Sequence, residues 1–462
     1  MSLLNSRIRS LRRRADSLPK EIEQWLSYAE AGRQFERNFS QLQALDLFMK
    51  QICRRLEQAV AKLTQLAHLT PSNTADILNQ AHSVQDGIVK AHYIWSYFRS
   101  KLEQRFVPQF AHALFVADVI AYDCYQTVRN NADNLEIKHK LGLRDYPLTY
   151  LLEDFSPVTW PRTVKLARLD HRTLPLPIIG VPWDHISNPW ELLSLHHEVS
   201  HDIDADLNEP VQELAICLGK QLSTTGNQQS RTSVWLRWLD EIFADFLGIL
   251  LAGPPFVSFL ASFMTLPAKS VCSFVPNDPH PTPYLRTLLN GQFVRGLSLG
   301  SDAEAYIDRL LSQWQTTYGK PSQELAPYIS DFGDIIELIL STKLQAFKGQ
   351  NGTLHSLAEL ASFDDNDYRT QADACDHLLS NREVGQNIPI RHLIGAAYIA
   401  VERHALDDKF ASEVLERMNK AIEAQAPKGQ LALRTKQSRQ LLEDLANAYF
   451  DNASGLSGGL YG

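Results

Sequence analysis

The chain has 462 residues, with 45 Lys and Arg against 53 Asp and Glu, a formal net charge of −8. That balance excludes the basic footprint of a nucleic-acid binder, and a 44% apolar share is that of a globular protein with a sizeable core. The five cysteines, Cys53, Cys124, Cys217, Cys272 and Cys375, are scattered without a C-x-x-C, which excludes a zinc ribbon and a disulfide framework and fits a reducing, cytoplasmic setting.

The first 145 residues read as helical. Arg7, Arg9, Arg12, Arg13 and Arg14 are followed by a polar stretch, not an apolar one. They therefore read as an exposed helix face and not as a secretion signal. Residues 41–66 and 74–102 repeat apolar residues at helical spacing, with Pro71-Ser72-Asn73 marking a turn between them. From 147 to 189 prolines recur among β-branched and aromatic residues, the pattern of short strands and extended loops. Asn188, Pro189 and Glu191 then read as N-cap, first helical residue and capping-box carboxylate. The helix they open buries Leu192, Leu193, Leu195, Val199 and Ile203 and ends near Asp206, which puts residue 197 a few turns from its start.

A helix over 210–222, a polar loop over 224–233 and a helix over 234–251 follow. No residue from Phe246 to Ala268 is charged, but Gly253-Pro254-Pro255 breaks this run into arms too short to cross a bilayer. It reads as two buried segments joined by a turn, and no transmembrane span is expected. After Leu285 the chain is helical again, broken near Gly319-Lys320-Pro321 and over 349–352, with amphipathic helices at 391–405 and 411–425. A Gly-rich tail over 454–462 reads as flexible. The fold class expected is mainly α with a small β element (α+β).

His197-Glu198-Val199-Ser200-His201 is H-E-x-x-H. Residues four apart share a helix face, so both imidazoles can reach one ion, and Glu198 is placed to take a proton from a metal-activated water. The bland reading is a pair of satisfied core histidines. A run of His196, His197, Glu198 and His201 inside a leucine-rich helix makes that costly. A catalytic zinc needs a third protein ligand and an open position. The ending H-x-x-G-x-x-H fails, because Asp204 and Leu207 stand at the Gly and His positions. Glu241 and Asp245 are an i, i+4 pair on the 234–251 helix, otherwise rich in Trp, Leu and Phe. Carboxylates facing a core need a cation or strong hydrogen bonds: zinc answers for Glu241, and an imidazole N–H for Asp245. Asp204, Asp206 and His280 are the alternatives to Glu241.

At these residues the chain resembles the gluzincin zinc metalloproteases, in which H-E-x-x-H is followed by E-x-x-x-D on a second helix. That resemblance implies His197, His201 and Glu241 as ligands of one Zn2+ per chain, Glu198 as general base and Asp245 as the partner of His197. His280-Pro281 and Arg286 form H-P-x-x-x-x-R, which resembles the downstream motif of the gluzincin family that includes the CAAX prenyl endopeptidases. His280 and Arg286 would stabilise an oxyanion or hold the zinc ligands. The likeness covers roughly residues 177–290. It implies a zincin-like metallopeptidase core at 146–300, between helical regions at 1–145 and 301–453. The membrane spans of those endopeptidases are missing, so their prenylated substrates do not carry over. The expectation is a zinc peptidase acting on a peptide or flexible protein segment, which would add as a strand beside residues 178–181. Two other readings stand beside it. Glu198–His201 and Glu136–His139 are both E-x-x-H, as in di-iron helical bundles. A helical interaction protein with a closed structural metal site is the non-catalytic alternative.

Overall fold

Apolar residues three and four apart make one face of α1 (Leu3–Glu30): Ile8, Leu11, Ala15, Leu18 and Ile22 are buried, while Arg9, Arg12, Arg13 and Arg14 are exposed. In this computed structural model α1 packs against α2 (Phe39–Leu69) and α3 (Thr74–Glu103), with Trp95 wholly buried and edge-on to Trp25 at 5.4 Å. Described are residues 3–30, 38–69, 74–137, 146–161, 174–222, 229–275, 277–380, 382, 384–385, 388–403 and 408–426, with 440, 442–444 and 446–447. The turn expected at Pro71-Ser72-Asn73 and the tail at 454–462 lie outside them.

The chain forms two compact units, residues 1–112 with 160–177 and 428–462, and residues 113–159 with 178–427. They do not coincide with the regions read at 1–145, 146–300 and 301–453. The reason lies in α4 (Pro108–Asn134). From Ala113 onward it belongs to the second unit. There Asp123 accepts the backbone N–H of Arg391 at 3.0 Å, and Asn131 donates to the carbonyl of Leu360 at 2.8 Å. Such contacts are far apart in sequence and leave no local periodicity.

β1 (Leu148–Leu152), β2 (Val158–Trp160) and β3 (Ile178–Pro182) form a sheet of order β1-β3-β2. β1 runs parallel to β3, with Leu148 opposite Ile178 and Leu152 opposite Pro182. Every residue of β3 is buried, as a central strand requires. Both its edges are paired, so the substrate strand expected beside 178–181 has no place there. Among the described residues the edge on the far side of β3 is β2.

The capping box expected at Asn188 does not form. Pro189 opens a 3-10 turn over Pro189–Leu193, Asn188 makes no side-chain cap bond, and α5 begins only at Ser194 (Ser194–Asp206). A preceding 3-10 turn spans Trp183–Ile186. The H-E-x-x-H motif therefore starts in the first turn of α5, not a few turns in. α6 (Pro210–Leu222) follows. α7 (Gln229–Ala252) starts earlier than residue 234, so Gln229–Ser233 are helical, not loop.

α7 ends where Gly253 takes φ +76°, a conformation that favours glycine, and α8 (Pro254–Phe263) turns back. A Cβ at Gly253 would also lie 2.3 Å from the ring of Phe363. The uncharged run is thus two helical arms joined by a turn, buried as far as Ala261 and exposed over most of 262–268, and among the described residues no helix is long and apolar enough to cross a membrane. α9 (Ala268–Cys272), α10 (Pro283–Gly296), α11 (Ser301–Tyr318), α12 (Ala326–Ile329) and α13 (Phe332–Ser341) come next. Around the break at 349–352, β4 (Leu344–Lys348) and β5 (Leu354–His355) form an antiparallel hairpin that the periodicity did not announce. α14 (Leu357–Leu360), α15 (Asp365–Leu379), α16 (Ile390–Glu402) and α17 (Asp408–Gln425) complete a mainly α fold with two small sheets. α5 packs on α7, and α7 on α10, where Phe246 stacks on Phe293 at 3.9 Å.

Candidate metal centre

Four-residue spacing sets His197 and His201 one turn apart on α5, with their Nε2 atoms 3.1 Å from each other. α7 brings Glu241 to both: Oε2 lies 3.3 Å from His197 Nε2, and Oε1 lies 3.8 Å from His201 Nε2. The three ligand atoms fall within 4.8 Å of one another. Among the described residues this group has three members and includes no cysteine. Two imidazoles and one carboxylate make a donor set that fits zinc with a position left open.

Asp245, one turn beyond Glu241, is completely buried. It accepts from His197 Nδ1 at 2.9 Å, which leaves Nε2 turned to Glu241 and His201. Arg286 and Asn290, one turn apart on α10, supply its other partners. Arg286 Nε donates to Oδ2 at 2.7 Å, Nη2 donates to Oδ1 at 2.8 Å, and Asn290 Nδ2 donates to Oδ2 at 2.8 Å. Arg286 Nη2 also lies 3.3 Å from Glu241 Oε2. Arg286 is 8% exposed, and its guanidinium spans both carboxylates.

The charges follow from this arrangement. Burial opposes the protonated form of His197, but its bonds to Asp245 and Glu241 outweigh that and hold its pKa up at about 10. His201 is raised too: burial opposes, and Asp240, 3.5 Å from its Nδ1, prevails. Burial likewise opposes the ionised forms of Glu241 and Asp245, and His197 and Arg286 keep both well below the carboxylate range. Two ionised carboxylates thus face one arginine, and the balance is taken up by a proton on imidazole, which a divalent cation can displace.

Glu198 is no member of the ligand group. It is buried, and the hydroxyl of Thr159 on β2 lies 2.5 Å from its Oε2. His280 sits on the exposed side, its Nε2 3.5 Å from Glu241 Oε1 and its Nδ1 3.1 Å from Asp278. Asp204 and Asp206 are not in the group; they accept the Val211 N–H at 3.0 Å and the Tyr125 hydroxyl, respectively. His196 is a core histidine: burial pushes its pKa down to about 4, and its ring nitrogens face the carbonyls of Leu193 and Arg391. Glu136 lies past the end of α4 with φ 52°, so its E-x-x-H starts in a turn and not on a bundle helix, and His139 lies outside the described residues.

Three partners escaped sequence reasoning: Asp240, Thr159 and Asn290. Asn290 had a signal, as a polar residue four places after Arg286 and so on the same face of α10. Thr159 had none, because its contact depends on the sheet lying over α5.

Burial, reinforced by Asp240, raises Asp204 to about 7. A carboxyl raised in the folded state stabilises below its ordinary value and loses that contribution as pH rises through 7. Asp204→Asn, which keeps an acceptor for Val211, is therefore expected to raise the melting temperature of the metal-free chain above pH 7 and to change little below about pH 4. A lowered melting temperature at pH 8 would show that the ionised form is used.

No protein-family model matches the chain, and no curated protein or solved structure matches it either.

Proposed function

We propose that the chain is a zinc-dependent peptidase of gluzincin type. The observation that carries this is the convergence of His197, His201 and Glu241 beside a buried glutamate, Glu198, that is not one of them. Zinc, held by these three residues, would supply Lewis-acid activation of a water. Glu198 is the general base of this reading, the group that would take a proton from water and return it to the leaving amine. Thr159 keeps the Glu198 carboxylate aimed. Asp245 fixes the tautomer of His197, and Arg286 holds Asp245 and Glu241. His280, exposed on the open side, is the side chain left to meet the developing oxyanion.

Substrate form follows from the sheet. Among the described residues β2 is an edge strand and carries Thr159, so a peptide lying extended along it passes Glu198. Only an unfolded or flexible segment can pair in that way. The di-iron reading lacks a second helical E-x-x-H. The structural-site reading lacks a cysteine in the ligand group.

The experiment offers the zinc-loaded chain one protein substrate in native and in unfolded form. Cleavage is expected of the unfolded form, with little of the native one, and is expected to stop with a chelator and return with zinc. Absence of zinc-dependent cleavage of either form would sink the hydrolase reading. Equal cleavage at sites buried within the native substrate would sink the preference for flexible segments.

A further inference from the structure

The two 3-10 turns ahead of α5 gather a second set of donors. One ligand atom from each of Asp184, His185 and Glu191 lies within 4.8 Å of the others. His185 is 4% exposed, its Nδ1 has no hydrogen-bond partner, and its Nε2 lies 3.4 Å from Glu191 Oε2. Asp184 Oδ1 is also buried without a hydrogen-bond partner. Among the described residues neither carboxylate pairs with an arginine or lysine.

Each of these facts is costly alone. Buried polar atoms are nearly always hydrogen-bonded, and neighbouring carboxylates repel. Burial keeps the His185 ring neutral, so it brings a lone pair and no counter-charge. What the group lacks is a cation, and it already holds the donors for one.

We propose that Asp184, His185 and Glu191 form a second divalent-metal site, separate from His197, His201 and Glu241. An imidazole set among carboxylates favours a transition ion such as zinc over calcium or magnesium. The ion would tie residue 184 to residue 191 across the connection from β3 to α5. That connection decides where α5 begins, and His197 lies in its first turn. The role is therefore structural: binding to the folded chain stabilises it by mass action.

The test is equilibrium dialysis of the metal-free chain against buffered zinc, read by elemental analysis. Glu191→Gln keeps the shape of the side chain and removes its charge. It is expected to take up one zinc fewer than the parent and to keep its helical circular dichroism. Asp184→Asn is a second variant with the same expectation, should the first fail to fold. Glu241→Ala, in the other site, is expected to lose the other zinc and still to melt higher with zinc present, a gain that adding Glu191→Gln to Glu241→Ala removes. Equal zinc uptake by the parent and the folded Glu191 or Asp184 variant would overturn the second site. Equal uptake by the parent and Glu241→Ala would instead count against the first, so the two failures are distinguishable.

Discussion

Glu198→Gln is expected to keep its zinc and lose hydrolysis. Glu198 lies between the two histidines in sequence, but its carboxylate is turned to Thr159 and is not in the ligand group. Gln has the same length, still offers an oxygen to the Thr159 hydroxyl, and cannot accept a proton from water. The metal donors are untouched, so zinc content and melting temperature should match the parent. General acid–base catalysis contributes roughly 100- to 10,000-fold, and the loss should fall on kcat with KM little changed. The measurement is turnover of an unfolded protein substrate at saturation, with zinc determined on the same sample. Near-parental turnover would remove Glu198 from the mechanism. Lost zinc would make it a ligand after all.

The parts of this site that were legible in the sequence are those written within one helix. H-E-x-x-H and the Glu241–Asp245 pair need only helical periodicity to bring side chains onto a face, and both α5 and α7 form. What could not be read depends on contacts distant in sequence. Asn188 has the chemistry of a cap, but Pro189 starts a 3-10 turn and the α-helix is delayed to Ser194. The β4–β5 hairpin is too short for a clear alternation. The apolar run at 178–182 marked a strand correctly, yet nothing local says whether such a strand is central or at an edge. Complete burial decided for the centre, moving the expected substrate edge to β2. Arg286 was legible as a residue of the site with two roles open to it; which carboxylates it meets turns on how α10 packs against α7.

Those carboxylate contacts lead to the largest expected effect on stability. Arg286→Met keeps an apolar stem in place and deletes the buried charge. Asp245 then retains Asn290 and His197, and Glu241 loses its described arginine. Removing one member of a buried ion pair leaves an uncompensated charge and costs about 3–5 kcal/mol. The metal-free variant should melt well below the parent. Lysine is no substitute, because a point charge cannot span both oxygens of Asp245 and reach Glu241 as the planar fork does. Zinc should recover part of the loss, since a cation beside Glu241 replaces some of the missing charge. Affinity should nonetheless fall roughly 10- to 100-fold, as for other partners of metal ligands, because the ligands are no longer held in register. Thermal melts with and without zinc separate this role from direct action on substrate. An Arg286 that donates to the oxyanion would leave the melting temperature and zinc affinity unchanged and reduce turnover alone. The 9% exposure of the side chain and its engagement by two carboxylates argue for the first outcome.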